Sequence, residues 1–308
     1  TTEAPIALPE DRVKLKKAVE TCTQLGSTQD GKIIYLYRRD QAPSSVILKE
    51  LGRLREIAFR AVGEGTGQRR DLDSFDDDYY HLLLWDNKEL EIVGAYRFIP
   101  TKEQLARKGH SGLYSYGLFH YDIAMAHILN QGIELGRSFI QPRYWGKRSL
   151  DYLWQGIGAF LAQNPQYRYL FGPVSMSASL PAPAKDLLVA FYKLHFSPRW
   201  PLARSRRPYS NGSLDIANQF IGHDYQQDLT ILKTMLDNLG CGIPTLYKQY
   251  SELCEPGGVQ YLDFGIDPDF GNCVDGLVLV DIHKMKQNKR QRYIDCHQPI
   301  CTESSASA

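Results

Sequence analysis

The stretch that decides the fold is residues 132–149, GIELGRSFIQPRYWGKRS, where an apolar run leads through a basic turn into a helix. The apolar run, residues 133–140, predicts a strand. Alternating side chains would send Glu134 and Arg137 of this strand to opposite faces. Because an unpaired buried charge costs several kcal/mol, we expect an extra residue at Leu135–Gly136 that puts both charges on one side.

Such a bulge would also splay this strand from the next predicted strand, residues 169–176, and open a slot between them. The helix predicted from Ser149 would begin at the mouth of that slot, where its free backbone N–H groups can bind an anion. The basic residues of the turn are Arg143, Lys147 and Arg148. A structural ion pair and an ordinary strand–helix turn explain the same residues, so their role stays open at this point.

Length and composition exclude several classes of protein. The chain has 308 residues, of which 43% are hydrophobic and 23% charged, with a net charge of +1. This is enough for one large or two small domains and argues against global disorder. No run approaches the ~18 apolar residues of a membrane span, and the start of the chain is too polar for a signal peptide. Six cysteines without metal-ligand spacing argue against a metal site and favour free thiols in a reducing cytoplasm.

Hydrophobic periodicity places the elements along the chain. Helices are predicted over residues 11–25, 45–62, 123–129, 149–162, 183–196 and 227–239, with a short helix capped by Thr101. Strands are predicted over residues 32–37, 79–85, 89–99, 133–140, 169–176, 259–264 and 273–282. This order predicts an α+β fold, a mixed sheet with helices on both faces. The expected domains are an N-terminal extension (residues 1–43), one domain (44–295) with an arginine-rich insertion (198–240), and a disordered tail (296–308).

Local charge suggests an anionic partner. Five aspartates lie within residues 71–78, whereas residues 197–210 and 283–293 are basic and contain no aspartate or glutamate. Each segment alone is ordinary solvated surface, but two basic segments in a neutral chain favour an acidic carrier protein, an anionic lipid surface or a nucleic acid. The acidic run argues against the nucleic acid.

The strand and turn resemble the GNAT superfamily of N-acetyltransferases, in which a Gln/Arg-x-x-Gly-x-Gly/Ala loop binds the pyrophosphate of coenzyme A. This chain has Gln141 and Gly146 but carries Tyr144 where the first glycine belongs. A Cβ atom there obstructs close approach of the backbone to a pyrophosphate. The departure favours a donor that presents only a phosphopantetheine arm.

A wider set of residues resembles the acyl-carrier-protein-dependent branch of that superfamily, which comprises acyl-homoserine-lactone synthases, N-acyl amino acid synthases and ornithine N-acyltransferases. The set is Arg55-x-x-x-Phe59, Asp73-x-x-Asp76 before His81, Tyr96-Arg97, and Glu134-Leu135-Gly136-Arg137. Residues 244–281 resemble the ornithine end of the branch. The resemblance covers residues 54–280 outside the insertion and implies a GNAT-like, mainly antiparallel sheet with a splayed strand pair. It also implies the second half of a bifunctional ornithine-lipid synthase.

The resemblance implies transfer of a fatty acyl or 3-hydroxyacyl group from acyl carrier protein to the α-amine of an amino acid, with ornithine favoured. Glu134 is then the expected base, Arg137 and Arg97 orient carboxylates, and Tyr192 protonates the leaving thiol. The expected substrate-binding residues are Arg55, Phe59, Asp73 and Asp76. The expected donor-binding residues are Gln141, Arg143, Gly146, Lys147, Arg148 and Ser149. The expected donor is an acyl-phosphopantetheine, on carrier protein before coenzyme A, and no other cofactor or metal is implied.

Two other functions stay open. A signal synthase of the acyl-homoserine-lactone type, using S-adenosylmethionine, would share the motifs, although residues 244–281 favour the lipid branch. A non-catalytic module that binds carrier protein or membrane would share the fold, although charges inside an apolar strand argue against it. Phe59 and Tyr192 also fit ordinary core packing. The expected location is the cytoplasm or the inner face of its membrane, with carrier protein, amino acid and anionic membrane surface as partners and no nucleic acid.

Overall fold

A computed structural model describes residues 3–39, 45–146, 148–210 and 215–297, and the chain forms an eight-stranded sheet in the order β1-β2-β3-β4-β6-β7-β10-β9. These strands are β1 Thr23–Ser27, β2 Ile33–Tyr37, β3 Tyr80–Asp86, β4 Glu91–Pro100, β6 Gly132–Ile140, β7 Tyr169–Met176, β9 Val259–Asp267 and β10 Cys273–Asp281. Neighbouring strands are antiparallel except β6 and β7, which are parallel. A second, two-stranded sheet pairs β5 Phe119–Tyr121 with β8 Ala203–Ser205.

Helices cover both faces of the large sheet. They are α1 Arg12–Val19, α2 Ser45–Arg60, α3 Thr101–Lys108, α4 Tyr114–Leu118, α5 Met125–Leu129, α6 Ser149–Gln163, α7 Ala182–His195, α8 Tyr225–Asn238, α9 Thr245–Ser251 and α10 Gln287–Tyr293. Helices α6 to α10 pack on one face, called the α6 face, and α1 to α5 pack on the other, called the α2 face. Along β4, Phe98 packs in the core of the α6 face and Ile99 in that of the α2 face, as strand alternation requires. Within the described residues, every helix is too short or too polar to span a bilayer.

Strand β6 contains an extra residue close to the predicted position. Its register with β4 shifts within residues 136–139, where β6 has one more residue than β4. The structure puts the irregularity at Arg137, next to the predicted Leu135–Gly136, and its φ of 49° lies in the left-handed region. As a result Glu134 and Arg137 point to the same side, where both contact Tyr114.

Strands β6 and β7 separate soon after they meet. They pair only over residues 132–134 and 169–171, whereas β7 stays paired with β10 along its whole length. Gly172 lies where they separate, and a Cβ atom there would be 2.0 Å from the carbonyl oxygen of Leu135. Only glycine permits this close approach of two backbones. The predicted slot between the strands is therefore present.

Some short elements differ from the sequence prediction. The helix predicted over residues 11–25 ends earlier, with α1, and the rest forms β1, which pairs with β2. Thr101 begins α3 but does not cap it; its hydroxyl donates to the carbonyl oxygen of Leu129 at the end of α5 and lies 3.0 Å from that of Gly132 at the start of β6. The predicted arginine-rich insertion contains β8. Most of the predicted tail, from residue 298 onward, lies outside the described residues.

Candidate active site

An open cavity of about 800 Å³ passes through the slot between β6 and β7. On the α2 face, its lining includes Glu64, Tyr114, Arg137, Ser175, Asp267 and Asp275. On the α6 face, its lining includes Tyr96, Tyr144, Leu150, Leu180, Leu246 and Tyr250. One half of the cavity is therefore polar and acidic, the other half is mostly apolar, and the two halves meet where the strands separate.

Three carboxyl groups define the polar half. Glu64 lies in the loop after α2, and its Oε2 accepts a hydrogen bond from the hydroxyl of Ser175 at 2.9 Å. Burial raises the pKa of Glu64 to about 7. Burial, together with the neighbouring Asp267 and Glu64, also holds the pKa of Asp275 well above its ordinary value. Asp267 accepts a hydrogen bond from the hydroxyl of Tyr114 at 2.6 Å. This half of the cavity can bind a cation.

Two arginines from the predicted catalytic set line the cavity. Arg137 lies 3.3 Å from Asp71 and over the ring of Phe270, at 4.3 Å from its centroid. Arg97 donates to Asp73 at 2.6 Å. Each guanidinium is therefore held by an aspartate behind it, and the positive charge of Arg137 acts on the carboxyl groups of Glu64 and Asp275.

Arg55 and Asp76 do not line the cavity and instead form a buried ion pair behind it, with Nη1 and Oδ1 2.7 Å apart. Arg55 also contacts Nδ1 of His81 at 3.3 Å. Because arginine can only donate, Nδ1 is the acceptor, so Nε2–H of His81 donates to the carbonyl oxygen of Asp76 at 2.9 Å. Burial lowers the pKa of His81 to about 4, which keeps the ring neutral at pH 7.

Glu134 lies behind the cavity lining rather than on it. Its carboxylate accepts hydrogen bonds from the hydroxyl of Tyr79, the hydroxyl of Ser115, and the backbone N–H groups of Tyr114 and Ser115 at 3.1 Å each. Burial of this side chain raises its pKa, and these hydrogen bonds oppose the effect. The observed position fixes the segment that presents Tyr114 to the cavity, and it differs from the direct contact with substrate expected of a base.

Tyr192, the expected acid, is not brought to the cavity. Its ring packs 5.1 Å from that of Tyr247 in the core of the α6 face, and its hydroxyl is 3.0 Å from Oγ of Ser251. Tyr192 does lie on the helix after β7, as predicted, but its side chain points into the core. The phenols that do line the cavity beside the slot are Tyr96 and Tyr250, whose hydroxyl oxygens are 3.1 Å apart.

The turn before α6 reaches the cavity through Gly146 and Arg148. Gly146 has a φ of 76°, and a Cβ atom there would meet nothing within 4 Å, so the space above it is open. Tyr144 donates a hydrogen bond to Glu91 at 2.6 Å, which fixes its ring in the cavity wall. Ser149 is buried at the start of α6. This end of the cavity therefore combines a helix start, open space and an exposed arginine.

Two other residues of the expected donor set support the turn instead of lining the cavity. The amide of Gln141 donates to the carbonyl oxygen of Ile92, which ties the turn to β4. Arg143 is exposed and forms ion pairs with Glu91 at 2.9 Å and with Glu89 at 3.5 Å. Lys147 lies outside the described residues.

Basic residues of the turn and of the insertion lie on both faces of the sheet. Arg148 precedes α6 on the α6 face, whereas Arg206 of the insertion donates to the carbonyl oxygen of Tyr116 at 2.9 Å, beside α4 on the α2 face. Local charge predicts a docking surface for carrier protein at Arg143, Lys147 and Arg148 together with residues 199–207, and this stays a prediction; Arg206 lies on the face opposite Arg148.

Sequence reasoning missed four residues of the polar half, namely Glu64, Ser175, Asp267 and Asp275. The signal for Asp275 was present, because it is an acid inside the apolar run of β10, the same pattern that identified Glu134. Glu64 follows Gly63 in a glycine-rich loop and has no local signal. Among the described residues, no cluster of metal-ligating side chains is present.

The splayed parallel pair in an otherwise antiparallel sheet, with a cavity through the slot, defines the GNAT class of acyltransferases. Residues 54–155 match the family described as "Acetyltransferase (GNAT) domain". A glycine N(alpha)-acyltransferase of Bacteroides thetaiotaomicron is 32% identical over 275 residues, which cover 85% of this chain and 80% of the relative. An L-ornithine N(alpha)-acyltransferase of Agrobacterium fabrum is 33% identical over 117 residues, 35% of this chain and 38% of the relative.

The chain belongs to the family of N(alpha)-acyltransferases that the Bacteroides protein represents, within the GNAT class. A second glycine N(alpha)-acyltransferase, of Phocaeicola vulgatus, is 30% identical over 85% of this chain and 83% of the relative. Among solved structures, a CoA-dependent acyl-homoserine lactone synthase with SAM and isopentyl-CoA covers 87% of this chain and 91% of its own, at 13% identity and a TM-score of 0.39. That superposition is too loose to support an argument about the site. The expected family and fold class are confirmed.

Proposed function

We propose that this chain transfers a fatty acyl group from a phosphopantetheine thioester to the α-amine of an amino acid. The observation that carries the proposal is a continuous cavity whose acidic half and apolar half meet between β6 and β7. An ammonium group fits the acidic half, and an acyl chain fits the apolar half. The slot is then the place where amine and thioester can be held at reacting distance.

The acceptor site that we propose is the half on the α2 face. The carboxyl groups of Glu64, Asp267 and Asp275 would attract the α-ammonium, and the guanidinium of Arg137 would bind the carboxylate of the same amino acid. Glycine is the first acceptor to test, because two glycine N(alpha)-acyltransferases align with 85% of this chain. Ornithine, expected from the sequence, is the second, because three neighbouring carboxyl groups can also attract a second ammonium group.

The donor site that we propose is the α6 face, with the arm entering beside Gly146. Arg148 and the first N–H groups of α6 would bind the phosphate of the arm. Tyr144 in the wall of the cavity leaves less room for the pyrophosphate of coenzyme A, which supports acyl carrier protein as the donor. Hydrophobic side chains such as Leu150 and Leu246 would bury the acyl chain.

Two of the roles expected from the sequence are proposed in changed form. Glu134 acts as a positioning residue, because its hydrogen bonds hold the backbone N–H groups of Tyr114 and Ser115. Tyr96 and Tyr250 replace Tyr192 as donors beside the slot. One hydroxyl of that pair donates to the other, so one O–H stays free to donate toward the thioester.

The product of this reaction is an amphiphile, and we propose that it leaves to an anionic membrane surface from a protein in the cytoplasm. Basic residues of the C-terminal part, such as Lys289 and Arg290 of α10, support this location.

The test is a transfer assay with mass spectrometry of the products. Acyl carrier protein and coenzyme A, loaded with the same acyl chain, are each incubated with ¹⁵N-glycine, ornithine, S-adenosylmethionine and a panel of other amino acids. We expect an N-acyl amino acid, formed with a higher kcat/KM from the carrier protein. The absence of any N-acyl product from either donor would contradict the proposal, and a lactone from S-adenosylmethionine would favour the signal-synthase alternative.

A further inference from the structure

Resting on the proposed function, we infer that Glu64 is the group that takes the proton from the acceptor ammonium, with Ser175 holding its carboxylate in place. An amino acid reaches the enzyme mainly as its ammonium form, which has no lone pair to attack a thioester. The reaction therefore needs a base inside the cavity on the acceptor side. The geometry of the polar half points to Glu64.

Glu64 is fixed at the cavity by both its backbone and its side chain. It is 8% exposed and lines the cavity, and its backbone N–H donates to the carbonyl oxygen of Phe59 at 2.9 Å. The turn at Gly271 packs so closely on it that an added Cβ atom there would lie 3.3 Å from Cα of Glu64. Ser175, its hydrogen-bond donor, belongs to the part of β7 that has left β6. The carboxyl group thus lies at the open slot.

The other carboxyl groups of this region already accept hydrogen bonds from protein donors. Glu134 accepts four hydrogen bonds behind the lining. Asp267 accepts from the hydroxyl of Tyr114 and from the backbone N–H of Asp269, and Asp275 accepts from the thiol of Cys273 at 3.5 Å. Glu64 receives a single side-chain donor, on Oε2, and within the described part of the chain no protein donor reaches Oε1. That oxygen is free to accept a proton.

The groups around Glu64 allow its carboxyl group to gain and lose a proton near neutral pH. Burial raises its pKa to about 7, while the hydroxyl of Ser175 and the charge of Arg137 on β6 act in the opposite direction. Cys273 and Asp275 on β10 also interact with it, and Asp267 on β9 interacts in turn with Asp275. A base with a pKa close to the operating pH is the most effective one.

The step balances without a further reactant. The carboxylate of Glu64 takes one proton from the ammonium, and the amine nitrogen attacks the thioester carbon, forming the N–C bond. The tetrahedral intermediate collapses, the C–S bond breaks, and the second nitrogen proton ends on the sulfur. Glu64 then releases its proton to water through the open cavity, so the products are an amide, a thiol and one proton.

The test compares Glu64→Gln with Asp269→Asn, an exposed carboxyl group of the neighbouring turn. We expect Glu64→Gln to lower kcat about 100-fold or more, with little change in the melting temperature, and Asp269→Asn to behave as wild type. In wild type, kcat/KM should rise with pH through about 7, and Glu64→Gln should lose that rise. Turnover within threefold of wild type in Glu64→Gln would overturn the inference.

Ser175→Ala supplies a second readout. It tests whether Glu64 is the base even if Glu64→Gln fails to fold. Because the hydroxyl of Ser175 stabilises the ionised form, its removal should move the rise in kcat/KM to higher pH. A profile that stays in place would overturn the inference, because a merely structural serine would change the rate without moving the profile. Failure of the proposed function is distinguishable, because wild type itself would then make no N-acyl amino acid.

Discussion

Replacing Gly172 with alanine should force the backbones of β6 and β7 apart where they separate. The added Cβ atom would lie 2.0 Å from the carbonyl oxygen of Leu135 and 3.0 Å from its carbonyl carbon. Non-bonded carbon and oxygen atoms need a separation of about 3.2 Å or more, so the backbone must move by about 1 Å. The atoms that are struck belong to a strand held by β4, so no side-chain rotation relieves the contact.

The expected loss of stability follows from this contact. Overpacking costs about 1–3 kcal/mol, and a clash with backbone belongs at the upper end of that range. For a chain of 308 residues, about 3 kcal/mol corresponds to a fall in melting temperature of about 5 °C. Because Leu135 lines the cavity, a movement of about 1 Å should also lower kcat about 100-fold.

The assay is thermal unfolding together with the acyl-transfer rate. The matched control for stability is Gly136→Ala on β6, where a Cβ atom would meet nothing within 4 Å and φ is not positive. That control should stay within about 1 kcal/mol of wild type. If Gly172→Ala melts and turns over as wild type does, the described approach of the two strands is incorrect.

Three further predictions concern the buried network, the positioning residue and the donor end. His81 has a pKa of about 4, below the value of about 6.5 in the unfolded chain. Its neutral ring therefore contributes fully to the stability of the fold above pH 6.5, and the free energy of unfolding falls by about 3 kcal/mol as the pH falls to 4. His81→Gln should therefore flatten the fall in melting temperature over that interval, and an unchanged slope would refute the assignment. Glu134→Gln should destabilise the fold by about 2 kcal/mol, because an amide cannot accept a hydrogen bond from every donor that faces Glu134. The same variant should raise the KM for the amino acid. Unchanged stability and an unchanged KM would contradict the positioning role of Glu134. Arg148→Ala should raise the KM for the loaded carrier protein and weaken its increase with salt, whereas Arg199→Ala, in the basic insertion, should not; the reverse pattern would move the docking surface to the insertion.

The long elements of the fold could be predicted because each carries its own pattern. Residues 169–176 form β7 as predicted, and a bulge in β6 followed from the cost of burying a charge, although it lies at Arg137 rather than at Leu135–Gly136. Strand β1 could not be predicted in this way. Its five residues, TQLGS, show no alternation of buried side chains and form a strand only because β2 offers an edge to pair with.

The site was harder to predict than the fold, because burial and partners decide what a charged residue does. Glu134 and Asp275 carry the same signal, an acid in an apolar strand, yet one lies behind the cavity and the other on it. The carboxyl group of Glu64 is held by a hydrogen bond from Ser175, which is 111 residues away in the sequence. Tyr192 lies on the expected helix, but one residue step along a helix turns a side chain by about 100°, and here it faces the core.

The account depends on amine and thioester meeting through the slot between β6 and β7. The most direct measurement is a crystal structure of the chain with glycine and a non-reactive thioether analogue of acyl-phosphopantetheine. The account predicts an arm that enters beside Gly146, a reacting carbon between Leu135 and Val174, and an amine within hydrogen-bond distance of Glu64. An arm bound outside the slot, or an amino acid bound on the α6 face, would contradict it.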